Sequence, residues 1–188
     1  AKISANPYAQ FHWSYDLPKI PTVNAKASIR WTNLNMLNFG NNNLSLSYLS
    51  AKQEVFLSNI KWNQFDIKAG IRNEVFDIRN IKSSQIIGDY DLDHLNNDYL
   101  SLFLDARTDT FDDGYFPTSG VNAGVSYAWT FAAFPYHSRN FQILQADAKT
   151  VVPIGEIFAF IPSFNFRFLI GDDIPVAYFN AVGGSLPG

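Results

Sequence analysis

The chain has 188 residues, a formal charge of −3 and no cysteine. The missing cysteine excludes a disulfide framework, a thiol nucleophile and thiolate metal sites. The near-neutral charge, with Lys and Arg scattered, excludes the basic footprint of a nucleic-acid binder. Charged residues are 16% of the chain and aromatic residues another 16%, where a soluble domain carries about 25% charge. No apolar run approaches the roughly 18 residues of a membrane helix. A low-charge, ring-rich chain without long apolar runs points to alternation, hence to strands.

In chain order, period two predicts nine strands. Residues 9–15 place Ala9, Phe11, Trp13 and Tyr15 on one face, and Gln10, His12 and Ser14 on the other. Residues 24–33 set Ala25, Ala27, Ile29 and Trp31 against Asn24, Lys26, Ser28 and Arg30. Strands follow at 44–50 and at 54–62, the latter with Phe56, Ile60 and Trp62 on one side. The strand at 65–78 opposes Phe65, Ile67, Ala69, Ile71 and Val75 to Asp66, Lys68, Arg72 and Glu74. The next, 98–108, opposes Leu100, Leu102, Leu104 and Ala106 to Ser101, Asp105 and Arg107. At 121–133, Val121, Ala123, Val125, Tyr127, Trp129 and Phe131 oppose Asn122, Gly124, Ser126 and Thr130. At 141–152, Leu144, Ala146 and Ala148 oppose Gln145, Asp147 and Lys149. The last, 157–170, sets five phenylalanines from Phe158 to Phe168 against Ser163, Asn165 and Arg167. No segment has a helical period with caps.

Strands this long exceed the usual mode of about 5–6 residues, and a tilted membrane strand needs about 9–11. One face carries nearly all the charge, as a wet lumen would. Trp13, Tyr15, Trp31, Trp62 and Trp129 fall toward strand ends, as in interfacial girdles. The alternation places connections 35–43, 63–64, 110–120 and 153–156 at one end. It places 16–22, 51–53, 80–97, 135–140 and 171–188 at the other. The fold class is all-β, an antiparallel meander forming part of a transmembrane outer-membrane barrel, with 1–188 a single segment. A soluble β-sandwich or lipocalin-like barrel also alternates, with its apolar face inward. Nine is odd for a bacterial single-chain barrel, and open edges are costly in lipid, so further strands are expected. Ala1 opens within patterned sequence, as a fragment of a longer protein would.

Several clusters invite a chemical reading. His12, His94 and His137 lack ligand spacing. "DYDLDH", with Asp89, Asp91 and Asp93, begins like a calcium loop but has His94 for Gly and Leu100 for the final Glu, so it reads as a solvated acidic loop. In "GGSLPG", Pro187 breaks the G-x-S-x-G elbow around Ser185. Asp66, Lys68, Arg72, Glu74, Asp105, Arg107, Asp147, Lys149 and Arg167 are expected to face the lumen, as ion-selective or, more simply, mutually pairing charges. No cofactor motif and no catalytic constellation stands out.

At "SLFLDARTDTFDDGYFPTSGVNAGVSYAWTF", residues 101–131, the chain resembles the Omp85 superfamily, the bacterial surface antigen (D15) barrel. That family's turn runs Asp-x-x-Asp, an aromatic residue, then Pro-Thr-x-Gly. Asp109, Asp112, Phe116, Pro117, Thr118 and Gly120 stand in those places. They read as turn chemistry at a solvated rim rather than as a catalytic set. A second likeness, "GDDIPVAYFNAVGGSLPG", is to the family's extracellular loop that folds back into the lumen. It makes Gly183, Gly184, Ser185, Leu186, Pro187 and Gly188 the lumen-inserting loop, with Pro187 departing from the family's tip. The resemblance implies a bacterial outer-membrane location, and the nine strands would be the third to the eleventh of sixteen. It implies contacts with outer-membrane lipids and lipopolysaccharide, and with an unfolded outer-membrane protein or a passenger domain. Within the superfamily the loop is most similar to barrels fused behind patatin-like phospholipase domains. Other members insert barrels into the membrane or secrete partners through POTRA-linked pores.

Overall fold

The computed structural model describes residues 7–17, 21–38, 41–83, 98–115, 117–134, 140–155, 158–171, 174–175 and 178. Among them run ten strands: β1 (Tyr8–Tyr15), β2 (Thr22–Asn38), β3 (Asn41–Trp62), β4 (Phe65–Ser83), β5 (Asp98–Asp109), β6 (Val121–Phe134), β7 (Phe141–Thr150), β8 (Val152–Ile154), β9 (Phe158–Phe160) and β10 (Ser163–Gly171). Eight form one antiparallel meander in the order β1-β2-β3-β4-β5-β6-β7-β10, and β8 pairs with β9 in a small ribbon. Among the described residues β1 and β10 do not pair, so the sheet is open.

Two strands expected from the sequence, 44–50 and 54–62, are one. β3 runs unbroken for 22 residues, and Ala51 pairs with Ile29 on one side and Val75 on the other. The connection expected at 51–53 is therefore strand, and the parity of ends reverses before it. Connections 16–21, 63–64, 110–120 and 151–162 leave from one rim, the lower. Connections 39–40 and 84–97, the segment 135–140 and the chain after Gly171 leave from the other, the upper. The expectation had put 16–22 with the upper group and 35–43 with the lower one. The expected strand at 157–170 divides into β9 and β10.

A bulge between Leu57 and Ile60, with Asn59 at φ 61°, flips the pleat. Phe56 faces inward, while Trp62, beyond the bulge, faces outward. These had been placed on one side with Ile60. An added residue in one strand exchanges the faces of all that follows, and asparagine tolerates the left-handed backbone the bulge requires.

The sheet curves. His12 on β1 and Asp147 on β7 line one cavity of about 770 Å³, although six strand spacings would set them roughly 29 Å apart on a flat sheet. The convex face carries the exposed apolar stripe. On β6 it runs from Val121 through Val125, Tyr127 and Trp129 to Phe131, close to the roughly 9–11 residues of one membrane crossing. On β3 and β4 the stripe is interrupted at mid-strand by the register partners Gln53 and Asn73, and further up by Asp77. Trp13, Tyr15 and Trp62 stand exposed at its lower margin.

Candidate functional site

Register places all nine predicted lumen charges on the concave face. Asp66 lies opposite Arg107, Lys68 opposite Asp105, Arg72 opposite Ser101 and Glu74 opposite Tyr99. Asp147 and Lys149 follow on β7. Arg167 lies opposite Gln145. Side-chain pairing then links strands. Arg72 Nε donates to Glu54 Oε1 at 2.8 Å, and Lys52 Nζ stands 3.0 Å from the same oxygen. Arg72 also caps the Phe103 ring, 4.6 Å from its centroid. Glu54 was not anticipated, yet it is buried and takes both cations. Its alternation with Lys52 along β3 was the available signal.

Nearer the lower rim, Arg107 on β5 reaches across β6 to Asp147 on β7, with both carboxylate oxygens at 3.1 Å. Gly124 lies between them in register. A Cβ there would stand 2.9 Å from Asp147 Oδ1 and 3.1 Å from Arg107 Nε. The glycine thus keeps open the path of an ion pair that spans three strands. Ser126 donates to Asp105, and Lys61 pairs with Asp66 at 2.8 Å. His12 faces the same cavity, with Nε2 3.1 Å from Asn24 Oδ1.

The upper half of the concave face differs from expectation. It carries an aromatic cluster, with Tyr48, Phe76, Tyr99 and Phe141 buried there, beside the polar Arg30, Lys52 and Glu74. Tyr178, from the chain after β10, enters this cluster, its ring centroid 5.4 Å from Phe76, 5.6 Å from Tyr99 and 5.0 Å from Phe141. Its hydroxyl donates to Glu74 Oε2 at 2.7 Å. The chain after β10 therefore returns over the concave face at Tyr178. The predicted loop residues Gly183 to Gly188 lie outside the described residues, as do Asp89, Asp91, Asp93, His94 and His137. Tyr99 and Phe103 share parity with Ser101 and Asp105, which was the sequence signal for this aromatic cluster.

The aspartates of 109–120 are consumed by their own loop. Asp112 accepts from Thr118 N at 2.9 Å, from Ser119 N at 3.1 Å and from the Thr118 hydroxyl. The Thr118 hydroxyl bond and the two amide bonds hold its carboxyl well below the usual aspartate range. Asp113 caps Tyr115 N at 2.7 Å, and Asp109 binds Phe111 N at 3.2 Å and Asn122 Nδ2 at 2.8 Å. Gly120 has φ 108°, and a Cβ there would fall 2.2 Å from Thr110 O. Pro117 sits within this loop, and Phe116 lies outside the described residues. Such bonds close a turn, and Asp112 spends three of its acceptor sites on it. Among the described residues no three His, Cys, Asp or Glu side chains group as metal ligands.

Two faces of one sheet thus differ in chemistry, and a returning segment covers part of the inner one. A family model described as the OMP85 superfamily matches residues 10–185. No curated protein and no solved structure matches.

Proposed function

We propose that this chain, which belongs to the OMP85 superfamily, forms part of the membrane-embedded barrel of a bacterial outer-membrane protein. Its apolar convex face meets lipid. Its concave face lines a wet lumen, and the chain after β10 folds over the upper part of that lumen. The likeness of the chain after β10 to the family's extracellular loop supports an outward upper rim and hence a periplasmic lower rim. The observation that carries this reading is the segregation within a single sheet. Leu102 and Leu104 stand exposed on one side of β5, while Asp105 and Arg107 line the cavity on the other. A soluble sandwich would bury the leucines and expose the charges.

In this reading the chain anchors or translocates and does no chemistry of its own. The parent is a barrel fused to a patatin-like phospholipase domain, a choice supported by the wording "YFNAVGGSLPG". The second reading, a barrel of an assembly, insertion or secretion factor, is supported by superfamily membership alike. Fractionation of the native host tests the location. Retention in the outer-membrane pellet after carbonate washing, with release by detergent, is expected, and a detergent-free monodisperse protein would overturn it. The full-length protein separates the two parents. Esterase activity abolished by replacing an elbow serine upstream supports the fused enzyme, and POTRA repeats upstream support the other.

A further inference from the structure

The β8–β9 ribbon continues the β7–β10 hairpin without a change of register. Lys149 pairs with Ser163, Thr150 N donates to Pro162 O at 3.3 Å, Val152 pairs with Phe160, and Ile154 with Phe158. Two positions, Thr150 with Pro162 and Val151 with Ile161, fall outside both ladders, and neither strand gains a residue. The pleat therefore carries the outward face of Ala148 and Phe164 onto Val152, Ile154, Phe158 and Phe160. These four are 45%, 58%, 72% and 58% exposed. The neighbouring strand β6 begins at Val121, opposite Thr150. Ile154 thus lies four residues beyond that end, ~13 Å along the strand, or about 10 Å in height at the usual tilt.

We propose that this ribbon is a lipid-contacting extension of the barrel wall, its apolar face seated in the acyl and headgroup boundary of the leaflet at the lower rim. The inference rests on the reading above that the convex face meets lipid. Continuity argues for this occupant, because the ribbon's face is the next part of the same stripe, in register. Depth agrees, since elements lying in that boundary bury about 5–10 Å. Pro153 leaves three-residue β8 short of a backbone donor, a poor template for a partner strand. Trp62, exposed on the convex face at the same rim, is the kind of side chain an interfacial girdle uses.

The chain holds no cysteine, so once any cysteine elsewhere in the parent is replaced by serine, a single introduced thiol can carry a nitroxide. The full-length protein is reconstituted in phosphatidylethanolamine–phosphatidylglycerol vesicles as I154C, F158C, F164C and Y115C. Collisional relaxation by oxygen is then compared with that by a water-soluble nickel chelate. I154C and F158C are expected to relax mainly with oxygen, as F164C does, while Y115C relaxes mainly with nickel. If F164C follows oxygen but I154C and F158C follow nickel, the ribbon projects into water and this inference fails alone. If F164C itself follows nickel, the membrane reading fails and takes the inference with it. Shielding of I154C and F158C from both reagents would mean protein contact, from a second copy or a partner, and would also overturn it.

Discussion

Asp112 shows how a residue that looks catalytic in isolation acts as a knot. Its folded-state acidity is raised by the Thr118 and Ser119 bonds, so its pKa lies below the ordinary 3.8. A depressed pKa means the contribution is fully present above the unfolded value and lost as pH falls through the folded one. Hydrogen exchange of the Thr118 and Ser119 amides, taken relative to an unstructured peptide at the same pH, should therefore stay slow below pH 3.8 and quicken only at still lower pH. Asp112→Ala should quicken it throughout the range in which the carboxylate is ionised, while leaving the sheet intact. Gly120→Ala forces a side chain into a backbone that disfavours it, at about 1–3 kcal/mol or more, measurable as a lower denaturation midpoint. Tyr178 works differently, through a ring in an aromatic cage and one bond to Glu74. Tyr178→Phe should cost about 1.5–3 kcal/mol, the range for a bond to a charged group. Tyr178→Ala should cost about 3–5 kcal/mol for the emptied cage, with faster proteolysis after Gly171 as the readout. Asp112 was legible as a turn residue, because its neighbours in the bond network are also neighbours in sequence. Tyr178 was not, because Glu74 lies 104 residues away and no local pattern announces a partner at that distance.

At the scale of elements, alternation predicted the strands but not their joints. β5 and β6 came out with the expected faces, because one polar and one apolar side leave only one register. β3 did not come out as two strands. Ser50, Ala51, Lys52 and Gln53 look like a break by composition, yet each has a register partner on both β2 and β4. Ladder bonds on both sides outweigh the weak strand preference of such residues. Amide exchange at 51–53 should accordingly match the protected centre of β3. A protease-site insertion there should abolish folding, whereas the same insertion after Gly114, where nothing crowds the backbone, should be tolerated. The bulge at Asn59 was equally hidden, since its effect is to exchange faces, and the exchange shows only once Trp62 has been paired with Phe65.

The whole molecule is a curved wall with lipid expected on one side and water on the other. Leu104→Arg places a charge on the convex face, and Ser126→Lys places one in the cavity. In reconstituted barrels the first should cost about 2–4 kcal/mol and the second little. Equal, small effects in detergent-free buffer would mark a soluble sheet instead. The sequence by itself determined the strand chemistry, the two unlike faces and the family-like turn at 109–120, because alternation and turn bonds act over a few residues. Only the tertiary structure decided that eight strands share one curved sheet and that Phe56 and Trp62 part company. The same holds for the return of Tyr178 onto an aromatic floor and for the Arg107–Asp147 bridge over Gly124. Those outcomes depend on ladder register and on contacts between distant segments, which a one-dimensional pattern cannot specify.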